Sequence, residues 1–414
     1  MVNKIGFQTI TYRFHLYCDR MDWLELTKEL YNKTLTFYYD VLLKEPELSE
    51  VPKLKRLRAI ELLTIGTKEE AAEDVKYPIP FEKLPLYFRR SAINQAIRMY
   101  EIYRSREGDG VEPTTKFDAS PIYYKGMYKE FTSTSIMLKL FNGDRWVWTD
   151  CSIDTCGRAM PEEDKIQSPV IVLENGRAML HVPVRETVED ARPLKERLQN
   201  CDKICAVYFP SSDTMATLVV ISTDGTFMES KFIYGGKELL HRKNILLRRI
   251  EANRASMGGD ISKLPEDENK RLWEKLHHLT DDKAHKVSRE IVEFCKTRDI
   301  DIIVVPNYGQ FNTFMRKGYL TTPNYDWIGR RIISFLRYKA FGEGIVVASA
   351  STKDIASTCY ICKKPVKKYN KNARPGKYYY GGKNFICLNG HCGNSYFNSA
   401  MNVSKNFLEN YGIM

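Results

Sequence analysis

The feature that most constrains this chain lies near its C-terminus: Cys359-Tyr-Ile-Cys362, then Cys387-Leu-Asn-Gly-His-Cys392. Two close cysteine pairs flanking a polar hairpin are the sequence form of a zinc ribbon, a fold too small to hold together without its metal. Thiolates at Cys359, Cys362, Cys387 and Cys392 would close a tetrahedral shell around one structural Zn2+, leaving no open position for catalysis. The second pair is separated by four residues rather than the usual two, so His391 is an alternative to Cys392 as fourth ligand. Loss of the metal, with the cysteines simply buried, is the other alternative.

The remaining six of ten cysteines are scattered without paired spacing and read as reduced, buried small hydrophobes. A length of 414 residues implies two or three domains, and 43% hydrophobic with 28% charged residues implies globular ones. The formal net charge of +11 favours a polyanionic partner. No apolar run reaches the length of a membrane span, and Met1-Val-Asn-Lys-Ile-Gly-Phe lacks the apolar core of a signal peptide. The expected location is cytoplasmic, in association with the nucleoid.

Periodicity divides the chain. Lys4 to Cys18 alternates as a strand, and Asp22 is placed to cap a long helix carrying Trp23, Leu26, Leu30, Leu35, Tyr38 and Leu42. A basic helical stretch with Lys53, Lys55, Arg56 and Arg58 follows, then a helix from about Leu86 to Arg106. From Thr114 to about Val184, turn signals at Asn142-Gly-Asp144 and Glu174-Asn-Gly176 separate short β-rich runs, which predicts a small β-domain that the first strand joins. Beyond it come strands at Lys203–Phe209 and Thr217–Ser222. A polar helical region from about Lys237 to Arg298, broken at Gly258-Gly259, follows. A buried-type strand at Asp301–Val305, a helix from about Asp326 to Phe341 and a strand at Gly344–Ala348 complete it. Hairpin, helix, strand, helix, strand is the order of an RNase H-type α/β domain.

In this order, and in local motifs, the chain resembles the transposon-associated TnpB proteins and their descendants, the miniature type V CRISPR effectors. Asp299-Ile-Asp-Ile-Ile-Val-Val305 is similar to the second strand of their RuvC nuclease domain. Leu336-Arg-Tyr-Lys-Ala340 with Gly344-Ile-Val-Val347 resembles the segment before the ribbon, and Asn398 to Val403 resembles the closing Asn-Ala-Ala-Arg-Asn-Ile element. The resemblance implies an α+β multidomain chain. A small wedge-like β-barrel (residues 1–19 and 111–195) would carry an inserted helical recognition domain (20–110). A RuvC-like domain (200–354 and 395–414) would carry the ribbon (355–394), with Cys392 favoured as the fourth ligand because cysteine is the family's ligand type.

Active members of that family hold two divalent metals with three carboxylates, because hard cations bridging a scissile phosphate need fixed anionic oxygens. This sequence places Phe209, within a residue or so, at the first such position, Pro306 at the second and Tyr396 at the third. None can hold Mg2+, so no catalytic Mg2+ and no nuclease activity are expected. Nearby Asp213 and Asp301 read as loop or strand-edge residues. The resemblance implies guide RNA and double-stranded DNA as partners, with repression or regulation of transcription as output, contacts to the transcription machinery and a homodimer being further options. Its alternatives are an active guided endonuclease with relocated acids and a guide-independent DNA-binding transposition accessory.

For nucleic-acid contact the candidates are Arg89, Arg90, Arg98 and Arg104, interleaved with Tyr87, Phe88, Tyr100 and Tyr103, and then Arg242, Lys243, Arg248 and Arg249. An amphipathic helix with a solvated basic face, or one laced by i,i+4 pairs, would show the same pattern. His277, His278 and His285 lack a metalloprotease spacing and are expected to carry no metal. Tyr378-Tyr-Tyr-Gly-Gly382 reads equally as a turn with stacked rings or as a DNA-facing wedge.

Overall fold

A computed structural model of the chain describes residues 4–65, 75–106, 110, 112–114, 116–174, 176–210, 212–256, 269–308, 328–369 and 382–413. Asn175, Gly258-Gly259, Asp326 and all but Gly382 of the Tyr378–Gly382 run lie outside those residues. The chain divides into two compact units, Thr9–Glu186 on one hand and Met1–Gln8 with Thr187–Met414 on the other.

In the first unit, β1 (Gly6–Tyr17) is followed by α1 (Met21–Lys44), α2 (Lys53–Thr64) and α3 (Leu86–Arg104). The strands β2 (Tyr128–Lys129), β3 (Ser135–Phe141), β4 (Trp146–Asp154), β5 (Val170–Glu174) and β6 (Arg177–Val188) come after them. They form one sheet in the order β2-β3-β4-β1-β6-β5, so the N-terminal strand does join the later hairpins. Alternation drives it: Ile136, Leu138 and Leu140 of β3 and Ala178, Leu180, Val182 and Val184 of β6 all turn into one core. The Asn142-Gly-Asp144 turn closes the β3–β4 hairpin. Asn142 Oδ1 accepts from the backbone N–H groups of Asp144 and Arg145, while Gly143 takes φ +101°.

The two ends of this sheet are bridged by one stretch of chain, since Ile122 bridges to Val170 beside β5 and the same stretch then runs on into β2. Helices α1 to α3 and this sheet lie within the same compact unit. Asp22 is not the cap of α1. The N-cap is Arg20, and Asp22 sits in the first turn, where its carboxylate holds the Arg20 guanidinium at 2.6 Å.

The second unit continues through α4 (Leu194–Leu198) into β7 (Lys203–Tyr208), β8 (Thr214–Ser222), β9 (Phe227–Tyr234), α5 (Gly236–Ser256) and α6 (Lys270–Lys296). Then come β10 (Ile302–Pro306), α7 (Gly329–Gly342) and β11 (Val346–Ala350). The sheet order is β11-β10-β7-β8-β9, with β7, β10 and β11 parallel and the β7–β8–β9 meander antiparallel. This is the strand arrangement expected of the RNase H type. β9 was not legible in the sequence: as an edge strand its Phe227, Met228 and Tyr234 remain exposed and it lacks a buried alternation.

Both faces of the central strands are covered. Cys205, Val207, Phe209, Ile303 and Val305 share a core with residues of α6 and α7. Ile204, Ala206, Ile302 and Val304 face the other way, toward Met401, Val403 and Phe407 of the closing helix α8 (Ser395–Asn410). Between β11 and α8 lies a three-stranded sheet, β12 (Val366–Tyr369), β13 (Asn384–Cys387) and β14 (Cys392–Asn394), in that order. Among the described residues no helix is long and apolar enough to cross a membrane.

Candidate metal centre and the altered strand ends

The ribbon brings together Cys359, Cys362, Cys387 and His391, whose ligand atoms all lie within 4.8 Å of one another. Cys362 Sγ is 3.7 Å from Cys387 Sγ, and His391 Nδ1 lies 3.4 Å from Cys387 Sγ and 3.8 Å from Cys359 Sγ. A tetrahedron with Zn–S near 2.3 Å and Zn–N near 2.0 Å has edges of about 3.5–3.8 Å, so this donor set fits zinc. The first pair is shaped by a tight knuckle. Cys359 N donates to Lys364 O, Lys363 N donates to Cys359 O, and Lys363 takes the left-handed φ of +57°. Burial pushes the Cys387 thiol up, but the backbone N–H of Asn389, the Cys362 thiol and His391 outweigh it and hold it at about 7, near thiolate.

Here the expectation of four cysteines is corrected. Register decides the fourth ligand: in the β13–β14 hairpin Cys392 pairs with Ile386, and Phe385 with Gly393. Alternation therefore sends Cys392 to the exposed side of the ribbon with Ile386, while Cys387 N donates to His391 O and the two side chains share the metal side. The Cys-x3-His spacing, not the Cys-x4-Cys spacing, brings the candidate ligands together.

The closing helix is fastened to the ribbon by two asparagines one turn apart. Asn398 Oδ1 accepts from Tyr360 N at 2.9 Å, and its Nδ2 donates to Thr358 O at 2.8 Å. Asn402 Nδ2 donates to Thr358 O and Ile355 O. Both are fully buried, so this part of the closing element is a structural staple.

At the carboxyl ends of β7 and β10 stand the aromatic side chains of Tyr208 and Phe209 and the ring of Pro306. Phe209 points away from α8, into the core shared with α6. Alternation instead brings Tyr208 to the α8 side, hydrogen-bonded to Ser399 and close to Tyr396 in the first turn of that helix. The side chain facing Tyr396 is therefore Tyr208, next to Phe209 and within the residue or so that the expectation allowed. Burial raises the Tyr208 hydroxyl above its ordinary range, and burial with the nearby Tyr208 hydroxyl does the same for Tyr308. Pro306 ends β10 opposite Ala350 of β11. The N-terminus of α8 is capped by Asn394, whose Oδ1 accepts from Tyr396 N and Phe397 N.

The two spare acids serve elsewhere. The Asp213 carboxylate accepts from Lys237 N, and its carbonyl from Gly235 N and Gly236 N, which fastens the start of α5. Gly236 is obligatory there, because a Cβ would meet Ser212 O at 1.9 Å. Asp301 lies before the amino end of β10, 3.7 Å from Arg192 and 4.0 Å from the buried Arg197. Among the described residues the ribbon is the one place where three or more His, Cys, Asp or Glu side chains gather with metal-binding spacing.

The basic candidates separate into two kinds. Arg90 grips the buried Glu61 carboxylate with two bonds of 3.0 Å, and Arg89 reaches the same group at 3.3 Å. These two guanidiniums are held by their own protein. Arg98 and Arg104 are exposed on α3, while Phe88 and Tyr100 are core residues rather than stacking platforms. On α5, Lys243 is buried and does not belong to a solvent-facing cluster; Arg242 pairs with Glu238, and Arg248 and Arg249 are exposed. The three histidines do not converge: His277 meets Arg331, and His285 stacks on Phe335 at 3.9 Å.

Residues 8–142 match the Aq_aa04 family. No curated protein sequence matches the chain. Among solved structures, the mini-RNA-guided endonuclease CRISPR-Cas phi3 superposes with a TM-score of 0.59 at 11% identity, over 97% of this chain and 93% of that one. A Cas12f1 in complex with sgRNA and target DNA superposes with a TM-score of 0.54 at 13% identity, over 93% and 81% respectively. The chain thus has the fold of the compact RNA-guided effectors.

Proposed function

We propose that this protein binds a guide RNA and a complementary DNA target without cutting it, so that the bound complex blocks or regulates transcription. Guide pairing would read the sequence while the protein holds the duplex backbone and reads a short adjacent motif. The observation that carries the reading is the side-chain content of the strand ends. Phe209 with its neighbour Tyr208, Pro306 and Tyr396 occupy the positions that the sequence resemblance assigns to carboxylates, and Asp213 and Asp301 make other contacts. A phenol whose ionisation is pushed up by burial is a poor ligand for magnesium. Zinc, held by Cys359, Cys362, Cys387 and His391, would brace the ribbon and supply no open coordination site.

The fold and the net charge of +11 support RNA and DNA as partners, acting in the cytoplasm at the nucleoid. The test is to purify the chain with its RNA, sequence that RNA, and incubate the complex with matched DNA and Mg2+ or Mn2+. A single discrete RNA with retained, uncut target is expected. Cutting that disappears on Asp213→Asn or Asp301→Asn would replace this reading with an endonuclease that has relocated its acids. Heterogeneous cellular RNA would favour a DNA-binding protein that uses no guide.

A further inference from the structure

Two cysteines that the metal centre does not use face each other across the β1–β4 pair. The register there sets Leu16 opposite Ile153 and Tyr17 opposite Ser152, so one further step brings Cys18 to Cys151. Both are free thiols, and the two sulfurs are in hydrogen-bonding contact. Their exposure differs. Cys151 is buried in the core of its unit, while Cys18 stands half-buried at the end of β1, just before α1 begins. Cys18 thus departs from the buried, inert thiol expected of a cysteine without paired spacing.

Local chemistry makes the two sulfurs unequal. The Cys151 S–H donates to Cys18, and with the backbone N–H of Arg20 it outweighs burial and the carboxylates of Asp19 and Asp22, which holds the Cys18 thiol at about 7. The same contact, together with burial, pushes the Cys151 thiol up, so that it keeps its proton. An accessible thiolate with a protonated thiol against it is the arrangement of a peroxide-reactive cysteine and its resolving partner. The backbone accommodates a bond between them. Residues opposite each other on antiparallel strands have Cα atoms about 4.5–5.5 Å apart, inside the ~4.4–6.8 Å range of disulfides. Cys205 of β7 and Cys295 of α6 make the contrasting case. These two also touch, yet both are fully buried, and their contact with that burial pushes the Cys205 thiol well up. Access and ionisation separate the two pairs, not contact.

We infer that Cys18 and Cys151 form a peroxide-reactive dithiol, Cys18 taking the oxidant and Cys151 resolving it into a disulfide that ties the start of α1 to β4. The Cys18 thiolate attacks one peroxide oxygen: the S–O bond forms, the O–O bond breaks, and the departing hydroxide takes a proton from solvent. The Cys151 sulfur then attacks the sulfenic sulfur, forming S–S and breaking S–O, and its proton leaves with the sulfenic hydroxyl as water. The pair gives up two electrons and the peroxide takes them. This chemistry draws on neither the zinc site nor the nucleic-acid reading.

The experiment treats the reduced, zinc-loaded full chain with hydrogen peroxide from equimolar upward, blocks the remaining thiols with iodoacetamide, and maps tryptic peptides by mass. Cleavage after Arg13 and Arg20 isolates Cys18, and cleavage after Arg145 and Arg158 isolates Cys151 together with the exposed Cys156, so fragment masses assign the bonded sulfur. The expected product is a Cys18–Cys151 link, reversed by dithiothreitol and formed at least about tenfold faster than thiol is lost at Cys205 and Cys295. Cys151→Ala should leave Cys18 as a sulfenic acid that dimedone captures, and Cys18→Ser should leave Cys151 unoxidised. The wild-type link carries the test by itself should either variant unfold. A link through Cys156 in place of Cys151 would overturn the dithiol. So would Cys18 passing to sulfinic acid with no link, or equal rates at the two cysteine pairs.

Discussion

At the scale of single residues, His391 and Cys392 are neighbours in sequence on opposite sides of a hairpin. His391→Ala is expected to cost at least about tenfold in zinc affinity, whereas Cys392→Ser retains one zinc per chain. Zinc released to a chromogenic chelator measures both, and equal loss in the two variants would reject the three-cysteine, one-histidine set. Glu61 makes a second residue-scale case. Its carboxylate is buried, and burial by itself would raise its pKa, yet the guanidiniums of Arg90 and Arg89 outweigh that and hold it below the usual glutamate range. Glu61→Ala leaves those cations without their partner and should destabilise the unit by about 3 kcal/mol in urea melts. Because the folded pKa is depressed, the wild-type contribution is fully present above the unfolded value. It is lost as pH falls through the folded one, so the gap between wild type and Glu61→Ala should narrow in acid.

At the scale of elements, the ribbon and α8 act as one piece. Asn398 donates and accepts across the junction, and neither group has water as an alternative in that buried setting. Asn398→Ala should therefore cost about 2 kcal/mol, mostly from the Tyr360 N–H and Thr358 carbonyl left without that partner. Asn398→Asp keeps the acceptor but loses the donor, and is expected to fall between the two in a thermal melt. If both variants melted with wild type, the staple would be an incidental contact. The resemblance read from the Asn398–Val403 element was therefore legible, but its role was not, because the partners are backbone groups of a segment some forty residues earlier.

At the scale of the whole molecule, a net charge of +11, with no carboxylate cluster of metal-binding spacing among the described residues, predicts binding that is strong, salt-sensitive and indifferent to magnesium. Nucleic-acid affinity of the purified chain should fall steeply between low and moderate salt, and EDTA should leave it unchanged once zinc is in place. A requirement for added magnesium in target binding would contradict this. The arginines that contribute are expected to be the exposed Arg98, Arg104, Arg248 and Arg249 rather than Arg89, Arg90 and Lys243.

What the amino-acid sequence determined by itself was the local pattern. Period-two alternation in β3 and β6, apolar runs in β7 and β10, and the Cys-x2-Cys knuckle each follow from contacts between near neighbours along the chain. Pro306 at the end of β10 was legible for the same reason. What only the tertiary structure decided were questions of facing. Whether Tyr208 or Phe209 meets α8 depends on which side of the sheet a helix nearly two hundred residues later covers. Whether His391 or Cys392 meets the other sulfurs depends on hairpin register, and whether Arg89 and Arg90 are available depends on a glutamate from another helix. A one-residue step reverses the direction of a strand side chain, and a buried partner removes a charge from solvent. Neither is written in the spacing of the residues concerned.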